Sequence, residues 1–203
     1  MYNPSHFQEA RLPVLHAAIE KTGLATLITL GDAGLDASHI PIILEPNEGE
    51  YGTLYGHIAR ANSQSLTSGQ ALAIFLGPNA YISPSWYPSK VNDGKAVPTW
   101  NYITVHAHGN IQFFDGKAEL LDIVTKLTVK HEAGLDHPWA VSDAPADYTQ
   151  AMLKGIIGFK LSIARLEGKW KISQNRSDND RKGVINGLEK ENGPDNEIAQ
   201  AII

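Results

Sequence analysis

His57, Arg60 and Asn62 stand in one short run, GHIARAN (56–62), where a strand-like stretch gives way to polar sequence. An imidazole, a guanidinium fork and an amide leaving a sheet together have the chemistry to cradle a phosphate. Arg can match two phosphate oxygens at once, and Asn with free backbone N–H groups completes the concavity. The same residues also describe a strand end carrying a surface arginine, and the run by itself weighs the two equally. Two aromatic stretches follow, YISPSWY (81–87) and PTWNY (98–102). Trp and Tyr offer flat apolar faces with a polar tip, suited both to ring stacking and to subunit interfaces. Further on, Lys171, Ser173 and Asn175 alternate and would share one side of an extended chain.

Other familiar chemistries are missing. The chain has no G-x-G-x-x-G after a strand, no G-x-x-x-x-G-K-[ST], no H-E-x-x-H and no G-x-S-x-G, which argues against Rossmann, P-loop and α/β-hydrolase enzymes. His106 and His108 lie two apart, so on a strand both rings point the same way. A lone H-x-H with no third ligand signalled nearby reads as a structural pair on a polar strand face, and no metal site is expected. Cysteine is absent, which excludes disulfides, thiolate metal sites and cysteine nucleophiles.

The net charge of −5 runs against the basic face that phosphate neutralisation requires of a DNA-binding domain. The basic residues that gather between Lys154 and Lys182 read as solvated faces, so direct DNA binding is not expected. Residues 1–11 carry no basic n-region and no apolar h-region. No stretch approaches the roughly 20 apolar residues that span a bilayer. A cytoplasmic protein without membrane contact is expected.

The elements that must position these residues follow from period and punctuation. A first helix is expected between Ser5 and Gly23, with Phe7, Leu12, Leu15 and Ile19 as its apolar stripe and a break near Pro13. Residues 24–30 (LATLITL) and 35–44 form a hairpin around the GDAG turn, and Pro41 demands a sheet edge or a bulge. Further strands are expected at 51–60, 70–83 and 99–115, the last bulged or turned at Gly109–Asn110. Residues 84–98 read as an exposed excursion rich in Pro, Ser, Gly and Lys. Leu120, Leu121, Val124, Leu127, Thr128 and His131 recur at helical spacing and predict a helix over 117–132.

A short helix at 147–154, a hairpin or long strand over 156–173 bent at 166–169, and a terminal helix over 176–188 complete the pattern. One domain at 1–190 with an acidic, frayed tail at 191–203 is the expected organisation. Strands that follow one another, with short helices at the periphery, argue for an antiparallel barrel over a doubly wound sheet.

In order and spacing, GHIARAN, ALAIFLGPNAYISPSWYPSK, VPTWNY and GFKLSIARLEGKWKISQNRSDNDRKGVINGL resemble the PaiB family of FMN-binding negative transcriptional regulators, from Met1 to about Leu188. The resemblance implies a mainly β (α+β) fold, the antiparallel FMN-binding split β-barrel with peripheral helices also found in pyridoxamine-phosphate oxidase. It implies a homodimer with FMN in the groove between subunits. Ser38, His39, Ile40 and Pro41 would run along the isoalloxazine, with His57, Arg60 and Asn62 toward the ribityl chain and phosphate. Trp100, Asn101, Lys171 and Gln174 would come from the partner subunit. After ARAN this chain has Ser63 and Ser65 where relatives carry a proline and then an aromatic, which implies a looser hold on the phosphate end.

Two functions fit that resemblance. One is a flavin-binding regulator; the other is an FMN-dependent oxidoreductase or flavin reductase acting on an unknown small substrate. A third, an interaction protein with an empty groove, follows if the two serines abolish binding. Flavin carries its own redox chemistry, so no catalytic side chain need show in the sequence. His39 and His57 are the groups near the implied ring that titrate in the right range.

Overall fold

Residues 1–202 are described in a computed structural model, the side chains at 92 and 93 excepted. After a 3-10 turn at Ser5–Phe7 come β1 (Gln8–Glu9) and α1 (Leu12–Thr22). Pro13 falls in the first turn of α1, where its missing N–H is not needed, so it begins the helix instead of breaking it. The hairpin follows as β2 (Leu24–Gly31) and β3 (Gly34–Pro41), paired from Leu24↔Pro41 to Gly31↔Gly34. The predicted second arm divides at Ile42, whose N–H leaves the ladder for Gly23 O at 2.8 Å, and resumes as β4 (Ile43–Glu45).

The next elements are β5 (Thr53–Ala59), β6 (Gly69–Ile82), the single turn α2 (Lys90–Asp93), β7 (Thr99–Phe114) and α3 (Lys117–Glu132). After them come α4 (Ala146–Lys154), β8 (Ile156–Lys171), α5 (Asp178–Asn192) and α6 (Glu197–Ile202). Strand order is β3-β2-β6-β7-β8-β5-β4, with β1 on β8. Pro41 therefore lies on an edge strand, where an absent donor costs nothing.

Neither predicted interruption of the long strands occurs. A Cβ at Gly109 would lie 2.1 Å from Ser162 O, so this glycine lets β7 and β8 approach and the strand runs on through it. A Cβ at Gly168 would lie 2.2 Å from the Leu15 side chain, and β8 likewise runs on through this glycine without a turn. In both places glycine marks a close neighbour rather than a turn.

The chain divides into two compact units, to which β6, β7 and β8 each lend one part. Unit 2 (His16–Phe75 and His106–Leu166) holds the curled part of the sheet. Its strands β3 and β5 share no ladder, yet a Cβ at Gly56 would sit 3.2 Å from Pro41 O. That is the open seam of an antiparallel split β-barrel. Leu27, Ile42, Leu54, Phe75, Ile111, Leu120, Phe159 and Leu161 fill its core.

Unit 1 comprises Met1–Leu15, Leu76–Val105 and the chain from Glu167 onward. Its core joins Ile82 and Tyr87 to Val184 and Leu188 of α5 and to Ile198, Ala199 and Ile202 of α6. The segment expected to fray is thus helical and packed. Burying an isoleucine such as Ile198 or Ile202 contributes about 1.5–3 kcal/mol, enough to hold so short a helix in place.

Candidate functional site

In unit 2, Ser38 and Asn62 meet: the Asn62 amide donates to the Ser38 hydroxyl at 2.9 Å. Asn62 Oδ1 accepts the Gln64 N–H at 2.9 Å and so caps the 3-10 turn Ser63–Leu66. Gln64 is fully buried, and its Nε2 reaches Leu27 O, Thr29 Oγ1 and Asp36 O, each at 3.2 Å. One amide thereby ties the turn after β5 to the β2–β3 hairpin. Ser63 closes on the same hairpin, donating to Asp36 at 2.8 Å.

Alternation along β3 decides which of its residues can share a surface. Ile40 is buried in the core, and Ser38 lies on its side of the strand. His39 and Pro41 face the other way, with His39 Nδ1 3.0 Å from Thr26 Oγ1. Four consecutive strand residues cannot all line one ring; alternate ones can.

His57 lies on β5 opposite Gly158 and is half-buried. Its Nδ1 has no hydrogen-bond partner, and burial pushes its pKa down, favouring the neutral ring. Arg60 turns away from Asn62. Its Nε donates to Lys154 O and its Nη2 to Ile156 O, both at 3.0 Å, while Nη1 lies 3.6 Å from Asp115. This clamps the C-terminal end of α4 to the end of β5. Arg60 lines a separate cleft of about 300 Å³ with Asp115, Lys117, Gln150 and Lys154. The structure does not bring Arg60 and Asn62 together as one cradle.

In unit 1, Trp100 is 50% exposed. Its Nε1 donates to Asn79 Oδ1 at 3.2 Å, and its ring meets Tyr81 edge-on with centroids 6.1 Å apart. The Lys171 ammonium donates to the Thr99 hydroxyl and to Trp100 O. Burial first, then the charges of Lys169 and Arg176, pull its pKa down. Among the described residues no carboxylate pairs with it.

Asn101 is buried and donates to the Ser173 hydroxyl at 2.9 Å. Ser173 has φ 64°, so the extended face expected of Lys171, Ser173 and Asn175 does not form; β8 ends at Lys171. Gln174 folds back on its own turn, accepting the Ile172 N–H at 2.9 Å and donating to Trp170 O. Trp100 and Lys171 present their groups; Asn101 and Gln174 hold the backbone that carries them.

Sequence reasoning assigns no role to Gln64, and reaches Tyr81 and Ser173 only as members of longer runs. A glutamine between two serines looks like surface loop, and only the hairpin above it makes it a core residue. Tyr81 and Ser173 fall inside the aromatic and alternating runs, which is the one signal that points to them. His106 and His108 sit as the strand spacing requires, with ring centroids 6.3 Å apart.

Residues 1–165 match the family described as "Putative FMN-binding domain". The chain belongs to that FMN-binding family. The protease synthase and sporulation protein PAI 2 of Bacillus subtilis, its PaiB protein, is 32% identical over 197 residues, covering 96% of this chain and 92% of the relative. Membership in the PaiB branch of the family follows, and FMN is the cofactor that the family's description names.

Solved structures agree on the fold. A conserved hypothetical protein of Mycobacterium tuberculosis superposes with a TM-score of 0.58 at 8% identity, covering 86% of this chain and 92% of that one. The FAD and heme binding protein of Mycobacterium smegmatis gives 0.57 at 14% identity, covering 81% and 73%. Among the described residues of this family member, no helix is long and apolar enough to cross a membrane.

Proposed function

We propose that this protein is a PaiB-type, FMN-binding regulator that works in the cytoplasm as a homodimer, with each flavin site built from two copies of the chain. One copy supplies the β3 side: His39 and Pro41 along the ring, with Asn62, held in place by Ser38, at the polar end. The other supplies Trp100 and Lys171, with Asn101 and Gln174 setting their backbone. When bound, FMN brings its own redox chemistry, and the chain contributes position and electrostatics.

The observation that carries this reading is the pairing of Lys171 with Trp100. An ammonium with no carboxylate partner among the described residues is anchored on the backbone carbonyl of a residue whose indole is half exposed, so a charge and an apolar face are offered to a planar ring from neighbouring points of one strand. Direct contact with DNA is not part of the proposal, because the chain carries a net charge of −5.

A second reading, an FMN-dependent oxidoreductase, is favoured by His57. A neutral imidazole whose shielded Nδ1 has no hydrogen-bond partner keeps a lone pair that a base needs. Anaerobic addition of NADH and NADPH to the FMN-loaded protein separates the two. Flavin absorbance that persists supports the regulator, and rapid bleaching with transfer to an acceptor supports the enzyme. Sedimentation velocity tests the dimer. A monomer that binds FMN at full affinity would overturn the shared site.

A further inference from the structure

A cleft of about 380 Å³ in unit 2 takes no part in the flavin site. Its floor is apolar: Ile43, Phe114 and Ile123 line it. Phe113, next to Phe114 on β7, points the other way, its ring meeting the core residue Phe159 edge-on with centroids 6.1 Å apart. Phe114 lies against Gly158, where a Cβ would come within 2.4 Å of its ring. A glycine at that point of β8 is what makes room for the ring.

The rim is charged, and part of that charge is already spent. Lys126 lies between Glu45 at 2.7 Å and Asp122 at 3.2 Å. The Tyr55 hydroxyl donates to Glu48 at 2.7 Å, and that hydrogen bond to the carboxylate holds its pKa up to about 12. Among the described residues, Glu119 and Lys160 have no hydrogen bond or ion pair, and Glu48 keeps its second oxygen. Two exposed carboxylates and one ammonium thus line the same cleft with charge to spare.

We propose that this cleft is a binding site for a small organic amine with an apolar stem. The ammonium lies between Glu48 and Glu119, and the stem lies on Phe114 and Ile43. The floor supplies hydrophobic contact and cation–π attraction, while the carboxylates choose the sign of the charge. Lys160 is placed to accept a carboxylate where the ligand carries one. The inference stands apart from the flavin reading, because none of these residues belongs to that site.

Calorimetric titration of the full chain with n-pentylamine, n-pentanol and pentanoate tests it, in the presence and absence of FMN. The amine is expected to bind one per chain and at least tenfold more tightly than the other two. Glu48→Gln with Glu119→Gln should weaken the amine by tenfold or more, while Lys160→Met, which removes a like charge, should tighten it. Amine binding no stronger than that of pentanoate would overturn the proposal, as would an unchanged affinity in the double variant. Should the double variant fail to fold, weakening of amine binding by Lys160→Met would overturn it by itself.

Discussion

The buried amide of Asn101 donates to the hydroxyl of Ser173 at 2.9 Å across 72 residues of sequence, and Ser173 is the one non-glycine residue with positive φ, 64°, among those described. A left-handed backbone costs a residue with a Cβ roughly 1–2 kcal/mol, which a buried hydrogen bond can offset. The bond fixes the exit of the chain from β8, and with it the position of Lys171.

Removing the hydroxyl should therefore cost more than removing the side chain. Ser173→Ala leaves Asn101 unsatisfied and keeps the strain, so a loss of about 1–3 kcal/mol is expected. Ser173→Gly loses the same bond but relieves the backbone, and should be the milder variant. Urea denaturation ranks the two. A glycine variant as unstable as the alanine one would remove strain from the account.

Lys171 makes stability depend on alkaline pH. Its folded-state pKa lies below the ordinary lysine value, because of burial first and of Lys169 and Arg176 second. Between that lowered value and the ordinary one of about 10.4, the unfolded chain binds more protons, so native stability rises with pH across the interval. Lys171→Met should flatten this rise in urea midpoints. The same variant should weaken FMN by a charge-assisted contact, about 1.5–3 kcal/mol.

Arg60 and Asn62 should separate in experiment. Arg60→Ala frees the end of α4 by removing its donors to Lys154 O and Ile156 O, with an expected stability loss of about 1–3 kcal/mol. Its flavin affinity should remain within about threefold of the parent, well under the roughly 1.4 kcal/mol that corresponds to tenfold. Asn62→Ala should lose about tenfold or more in a spectral titration with FMN. The reverse order would return Arg60 to the phosphate end.

Asp180 should act as an acid-sensitive pin. Burial pushes its pKa up, but the Ser89 N–H at 3.0 Å, the Ser89 hydroxyl at 2.9 Å and the Ser177 hydroxyl together outweigh burial and hold it below the ordinary value. Its contribution is complete above the ordinary aspartate pKa of about 3.9 and is lost as pH falls through the lower folded value. Asp180→Asn should abolish that acid dependence.

Trp86 offers the optical readout for this segment. It packs on α5, where a Cβ at Gly187 would lie 2.3 Å from its ring. Gly187→Ala should therefore displace Trp86 and shift its fluorescence at neutral pH. An unchanged emission spectrum would show that the 84–93 segment is held some other way.

Local pattern determined much of this protein. The heptad-like spacing of Leu120 and Leu127 sets α3 at 117–132, and a glycine-bounded turn between two apolar runs sets the β2–β3 hairpin. Long motifs such as GHIARAN and VPTWNY carry the family, because they extend over most of the chain in one order.

What only tertiary structure decided are the partners that lie far along the chain. Arg60 looks like an unspent fork until the carbonyls 94 and 96 residues away are seen to occupy it. Gly109 and Gly168 look like turns until a neighbouring strand and the Leu15 side chain are found where their side chains would be. Residues 197–202 look too short to fold until Val184 and Leu188 cover their apolar side. Periodicity and turn chemistry are properties of neighbouring residues and survive in the sequence. Donor occupancy, close approach and burial depend on what the rest of the chain brings near.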